Sequence, residues 1–82
     1  MPLPLPKNCR RNDDQGTVDF EVEIDGALRE AAITYEAVGC LYPAARDMIE
    51  AVSRSSHITR LVARYTQQDD PGPVVLTSTM VG

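Results

Sequence analysis

The stretch Val18-Asp19-Phe20-Glu21-Val22-Glu23-Ile24-Asp25-Gly26-Ala27-Leu28-Arg29-Glu30-Ala31-Ala32-Ile33-Thr34 decides the fold. Apolar Val18, Phe20, Val22 and Ile24 alternate with Asp19, Glu21, Glu23 and Asp25, the period of two that marks a strand with one dry and one wet face. Asp-Gly is a preferred pair for a type I′ turn. A two-residue loop at Asp25-Gly26 sets Ile24 opposite Ala27, Val22 opposite Arg29, Phe20 opposite Ala31 and Val18 opposite Ile33. The second strand thereby offers Ala27, Ala31 and Ile33 to the core. Arg29 shares that face near the turn, where its stem covers apolar atoms while its guanidinium reaches water.

Reading outward toward the C-terminus, Thr34 is placed to cap a helical segment that opens at Tyr35 with Glu36 in its first turn. Gly39 and Pro43 keep that segment short. Pro43 also suits the first turn of a long second helix, along which Ala44, Met48, Ala51, Ser55, Ile58, Val62 and Tyr65 recur at spacings of four and three, with Val52 and Leu61 beside them. The stripe is weakest at Ser53-Arg54-Ser55-Ser56-His57, where a break would fall. Gln67-Gln68-Asp69-Asp70-Pro71-Gly72-Pro73 is a dense turn signal, Val74 to Thr77 a short strand, and Ser78 to Gly82 a tail.

Toward the N-terminus, Met1 to Thr17 hold three prolines and a polar run from Lys7 to Gly16 without helical or strand period, which reads as an extended arm. Its Leu3 and Leu5 are able to lie on an apolar surface. The expected fold is therefore α+β: a β-hairpin, a short helical turn, a long helix and a returning strand (ββαβ), making a three-stranded sheet with the helix on one face. The arm spans residues 1–17, a single domain 18–78 and the tail 79–82. The pattern leaves the last strand beside either the first, antiparallel, or the second, parallel with a right-handed crossover.

Composition limits what such a domain can do. With 82 residues, no Trp, one Phe and three Tyr, the chain builds one thin core, and a second copy would relieve that shortage. Eight Lys plus Arg against twelve Asp plus Glu leave a net charge of −4, so nothing global draws the chain to phosphate backbones or anionic membranes. Proline interrupts the apolar residues at the start as no signal peptide would, and no stretch approaches a membrane span. The expectation is a cytoplasmic protein whose Cys9 and Cys40 are free thiols, with no membrane partner and no preference for nucleic acid.

No residue is assigned to catalysis, to a cofactor or to a metal. Cys40, His57 and Asp47 are the one thiolate, base and orienting carboxylate that can be named, but no nucleophile turn or oxyanion signature frames them. Cys9, Cys40 and His57 lack the close ligand pairs of a zinc site. Charge is the more informative pattern. Asp19, Glu21, Glu23 and Glu30 share the outer hairpin face, with Glu21 directly opposite Glu30, a pairing that costs energy in isolation. Arg54, His57, Arg60 and Arg64 lie in the second half of the long helix, where His57, Arg60 and Arg64 share a face and complement the negative helix end. One chain carrying both patterns can assemble with itself, and the expected function is a non-catalytic protein–protein interaction module forming a homo-oligomer, in the first instance a dimer. The alternative is a regulator that binds nucleic acid or a small anionic ligand through the basic ridge.

The order and spacing of several motifs add a resemblance. Leu5-Pro6, Arg10 or Arg11 with Asn12-Asp13, Val18-Asp19-Phe20, Asp25-Gly26, Ile33-Thr34-Tyr35-Glu36-Ala37-Val38, and Ile58 and Tyr65 in the helix resemble a family of short bacterial proteins grouped as domain of unknown function 1488. The sequence departs from that pattern in a shorter stretch between Glu36-Ala37 and the long helix, and in Ala51 where a large aromatic is expected. The resemblance implies a bacterial source and the fold; it implies no activity.

Overall fold

The computed structural model describes residues 4–66 and 73–81. Met1 to Leu3, Gly82 and the turn expected at Gln67 to Gly72 lie outside the described residues. In chain order the elements are β1 (Lys7–Asn12), β2 (Thr17–Ile24), β3 (Ala27–Thr34), α1 (Tyr35–Leu41), α2 (Met48–Ser53), α3 (Ser56–Tyr65), β4 (Val74–Leu76) and α4 (Ser78–Val81). The strands form one mixed sheet in the order β1-β2-β3-β4, antiparallel except that β4 runs parallel to β3.

The central hairpin has the register that alternation and the Asp-Gly turn dictate: Ile24 pairs with Ala27, Val22 with Arg29, Phe20 with Ala31 and Val18 with Ile33. Asp25 and Gly26 both take positive φ, 53° and 80°, as a type I′ turn requires. Ala27 is exposed at the turn end and adds nothing to the core. The last strand lies beside β3, in parallel, with Ala31 opposite Val74 and Ile33 opposite Leu76.

The sheet has four strands where three were expected, because residues read as an extended arm supply β1. Two features hid it. Lys7 pairs with Glu21 but Arg10 pairs with Asp19, so β1 carries one extra residue opposite Phe20. Asn8 absorbs this bulge at φ 54°, a left-handed conformation that Asn tolerates better than most residues. The bulge breaks the period of two, and an edge strand is mostly polar in any case. A turn through Asp13 to Gly16 then leads into β2, closed by the Gln15 N–H donating to the Asn12 carbonyl at 3.2 Å, with Gly16 at φ 67°.

The single long helix is likewise two helices. Asp47 caps α2 by accepting from the Ile49 and Glu50 N–H groups at 3.0 and 3.3 Å, so the helix opens at Met48 and not near Pro43. Ser55 leaves helical geometry (φ −100°, ψ 100°) and caps α3, its Oγ accepting from the Ile58 N–H at 3.1 Å. The break has a packing reason. In a continuous helix Val52 and Ile58, six residues apart, would diverge by about 120° around the axis. Re-phased by Ser55, both are fully buried. Of the expected stripe, Ile58 and Val62 reach the core, Met48 and Ala51 are partly buried, and Ala44 and Tyr65 are exposed.

All four helices lie on one face of the sheet. There Val18, Phe20, Val22, Ala31, Ile33 and Leu76 meet Ala37, Val38, Val52, Ile58, Leu61 and Val62 in one cluster, with Met80 and Val81 of α4 packed against it. Thr34 caps α1 as expected, accepting from the Ala37 N–H at 3.1 Å. Ahead of β1, Pro6 is buried, and the Pro4 carbonyl accepts from the hydroxyl of fully buried Thr59 on α3 at 2.6 Å. This bond fastens the N-terminal segment across the helical layer. Thr59→Val keeps the shape and removes the donor, and the expected loss is about 1 kcal/mol. An unchanged urea midpoint would show that this bond contributes nothing to stability.

Candidate functional site

The outer face of the sheet, on which no described helix packs, holds the acidic residues that the sequence singled out. Successive side chains of a strand alternate between faces, so burying Val18, Phe20 and Val22 turns Asp19, Glu21 and Glu23 outward. On β3 the same alternation presents Leu28, Glu30 and Ala32, and on β4 Val75. Leu28 and Val75 are 56% and 44% exposed, large for aliphatic side chains. Glu21 stands directly opposite Glu30, as the register predicts.

Two cations on this face were not anticipated. Residues 7 and 10 would point to opposite faces of a regular strand. The bulge brings both to the outer side, Lys7 beside Glu21 and Arg10 beside Asp19. The signal that could have revealed them is the turn-rich Asn12-Asp13-Asp14-Gln15-Gly16 just before β2, which reads in retrospect as the connection of a second hairpin.

Side chains and backbone from all four strands enclose a shallow trough of about 280 Å³. Its polar rim includes Arg10, Asn12, Asp19, Glu21 and Glu30, and its floor includes Ala32 and Val75. The carboxylates differ in their neighbours. Asp19 accepts from Asn12 Nδ2 at 3.1 Å and from Thr17 Oγ1 at 2.8 Å, so both its oxygens are engaged. Among the described residues the ion pairs are Arg11 with Asp13 and Arg54 with Glu50, neither on this face. Among the described residues Glu21 and Glu30 therefore face each other without an ion-paired cation, although Lys7 stands opposite Glu21.

The basic residues sit on the other side of the molecule, and the break at Ser55 divides them. Arg54 ends α2 and pairs with Glu50 at 3.3 Å, one turn back. His57, Arg60 and Arg64 are exposed on α3, whose opposite side is buried through Ile58, Leu61 and Val62. They point away from the sheet. The Arg64 guanidinium lies 5.9 Å from the Tyr65 ring centroid, within cation–π range.

The residues weighed for catalysis belong to three different helices or their caps. Asp47 is the α2 cap, Cys40 is exposed on α1, and His57 is exposed at the start of α3. Cys9 is partly buried at the bulge, where burial pushes its thiol above the ordinary value. A third cluster is structural. The Tyr35 hydroxyl donates to Asp13 at 2.6 Å while Arg11 lies over the ring at 5.4 Å, tying the β1–β2 turn to the start of α1. The Tyr35 hydroxyl, followed by the charge of Asp13, holds the Arg11 guanidinium still more firmly protonated. Among the described residues no group of three His, Cys, Asp or Glu is arranged to hold a metal, and no helix is long and apolar enough to cross a membrane.

Comparison with family models, with curated proteins and with solved structures finds no match to this chain.

Proposed function

We propose that this chain is a non-catalytic interaction module that associates with copies of itself. The observation that carries this reading is an uneven distribution of charge, with four carboxylates and the two cations Lys7 and Arg10 on the outer sheet face and three basic side chains on the outer side of α3. Asp19, Glu21, Glu23 and Glu30 lie outside the sheet, and His57, Arg60 and Arg64 lie outside the helical layer. Complementary faces of this kind steer encounter and fix register, while apolar contacts supply the affinity. Leu28 and Val75, exposed on the same face as the carboxylates, offer those contacts. A thin core adds a reason, since any partner that binds the folded state alone stabilises it by mass action. Membership of the bacterial family that the motif spacing resembles belongs to the same proposal and brings no activity with it.

A nucleic acid is the poorer partner for the ridge. The net charge of −4 opposes a phosphate backbone, and Arg54 is already held by Glu50. The test is light scattering at fixed protein concentration between about 0.01 M and about 1 M salt, over which the Debye length shrinks from about 30 Å to about 3 Å. The expected result is a mass above that of the monomer at low salt that falls as salt is added. A monomer throughout would overturn the reading.

A further inference from the structure

We propose, resting on the self-association just described, that Arg60 and Arg64 of one copy seat in the outer trough of the next, giving a head-to-tail assembly that two copies cannot close. The acceptor is the Glu21–Glu30 pair. Like charges directly opposite on neighbouring strands are destabilising, and this pair cannot slide apart. A one-residue slip of the hairpin would turn Val18, Phe20, Val22, Ala31 and Ile33 out of the core. Core packing therefore imposes the repulsion. Lys7 stands opposite Glu21 and Arg10 lines the same trough, but neither forms an ion pair among the described residues, which leaves both glutamates open to a cation from another copy.

The trough suits a guanidinium in particular. Its rim offers two carboxylates across adjacent strands and its floor offers the aliphatic surface of Ala32 and Val75. An arginine can lay its stem on such a floor and present its planar fork to a carboxylate. The donor spacing also matches. Arg60 and Arg64 are four residues apart on α3, so their attachment points are about 5–6 Å apart, and directly opposed residues on antiparallel strands are separated by about 4.5–5.5 Å. Each arginine can meet one glutamate.

The topology then decides the form of the assembly. The trough opens on one side of the sheet, while α3 turns its arginines outward on the far side of the helical layer. Seating the ridge of one copy in the trough of another leaves one trough and one ridge free, a heterologous contact that propagates into a chain or a ring. A closed dimer joined through its sheets would instead leave the α3 arginines unused and set the carboxylates of each face against one whose cations are Lys7 and Arg10.

Two variants test this: Glu21→Gln with Glu30→Gln, and Arg60→Gln with Arg64→Gln. Glutamine keeps the size and shape of glutamate, and the first pair removes an internal repulsion, so it should fold at least as stably as the parent; at exposed Arg60 and Arg64 glutamine removes the charge and shortens the side chain without touching the core. Sedimentation velocity of the unsubstituted chain should show species growing beyond the dimer with concentration. Each variant alone should associate at least about tenfold more weakly, the scale of about 1.4 kcal/mol. An equimolar mixture of the two should recover association and stop at a heterodimer, because it contains one intact trough and one intact ridge. An unsubstituted chain that stops at a dimer, or a variant that associates unchanged, would overturn the head-to-tail contact while leaving self-association standing. A monomeric unsubstituted chain would overturn both. A nucleic-acid complex lost in Arg60→Gln with Arg64→Gln, with self-association untouched, would assign the ridge to that partner and overturn the seating.

Discussion

Phe20→Ala should remove most of the stability of this domain, with an expected loss of about 3–5 kcal/mol. Phe20 is the one phenylalanine of the chain, is almost fully buried, and sits in the cluster that joins the sheet to the helices. The other buried members of that cluster are Val, Ile, Leu and Ala, so the cavity left behind is the largest that one truncation can open there. The cost is large relative to what a domain of this size holds, since a core below about 70–80 residues rarely supplies more than about 3–5 kcal/mol. Urea denaturation followed by circular dichroism should therefore show a variant largely unfolded without denaturant. Leu28→Ala is the control. Leu28 is more than half exposed on the outer face, and its loss should shift stability by no more than about 0.5 kcal/mol. A cost at Phe20 below about 1 kcal/mol would mean that the inner face is not the core described here.

The same residue shows why part of the fold was legible and part was not. Phe20 belongs to a strand whose inner face is apolar at every second position, and a period of two together with Asp25-Gly26 leaves one register for the hairpin. The outward positions of Asp19, Glu21, Glu23 and Glu30 follow from that register, so the acidic half of the site could be read. Its cationic half could not, because Lys7 and Arg10 reach the outer face through a bulge that erases alternation in β1. The position of β4 was open because Val74 to Leu76 carries no mark of its neighbour; pairing in parallel with Ala31 to Ile33 is a tertiary outcome. The helical region misled for a different reason. A stripe at spacings of three and four fitted one continuous helix by admitting Ser55 as a member, whereas Ser55 is the residue that ends that continuity. The basic ridge consequently lost Arg54 to α2 and kept His57, Arg60 and Arg64.

Ser55→Ala should destabilise the domain by about 2–3 kcal/mol, and the sign of the effect is as informative as its size. Were α2 and α3 one helix, alanine would be the better helix former and the substitution would be neutral or slightly stabilising. In the structure Ser55 Oγ caps α3 through the Ile58 N–H, and removing such a cap costs about 1 kcal/mol. The same oxygen shares a hydrogen bond with the Tyr42 hydroxyl, which links the loop after α1 to the start of α3. Both residues are at least partly buried, so the alanine also strands the tyrosine hydroxyl, at about 1–3 kcal/mol. Tyr42→Phe separates the two contributions. Added to Ser55→Ala it removes the stranded group, and the double variant should be more stable than the sum of the single losses predicts, by about 1 kcal/mol. Thermal denaturation of the four proteins measures the cycle. Strict additivity would limit Ser55 to its cap, and a stabilised Ser55→Ala would restore the continuous helix, with Arg54 rejoining the ridge that α3 now presents without it.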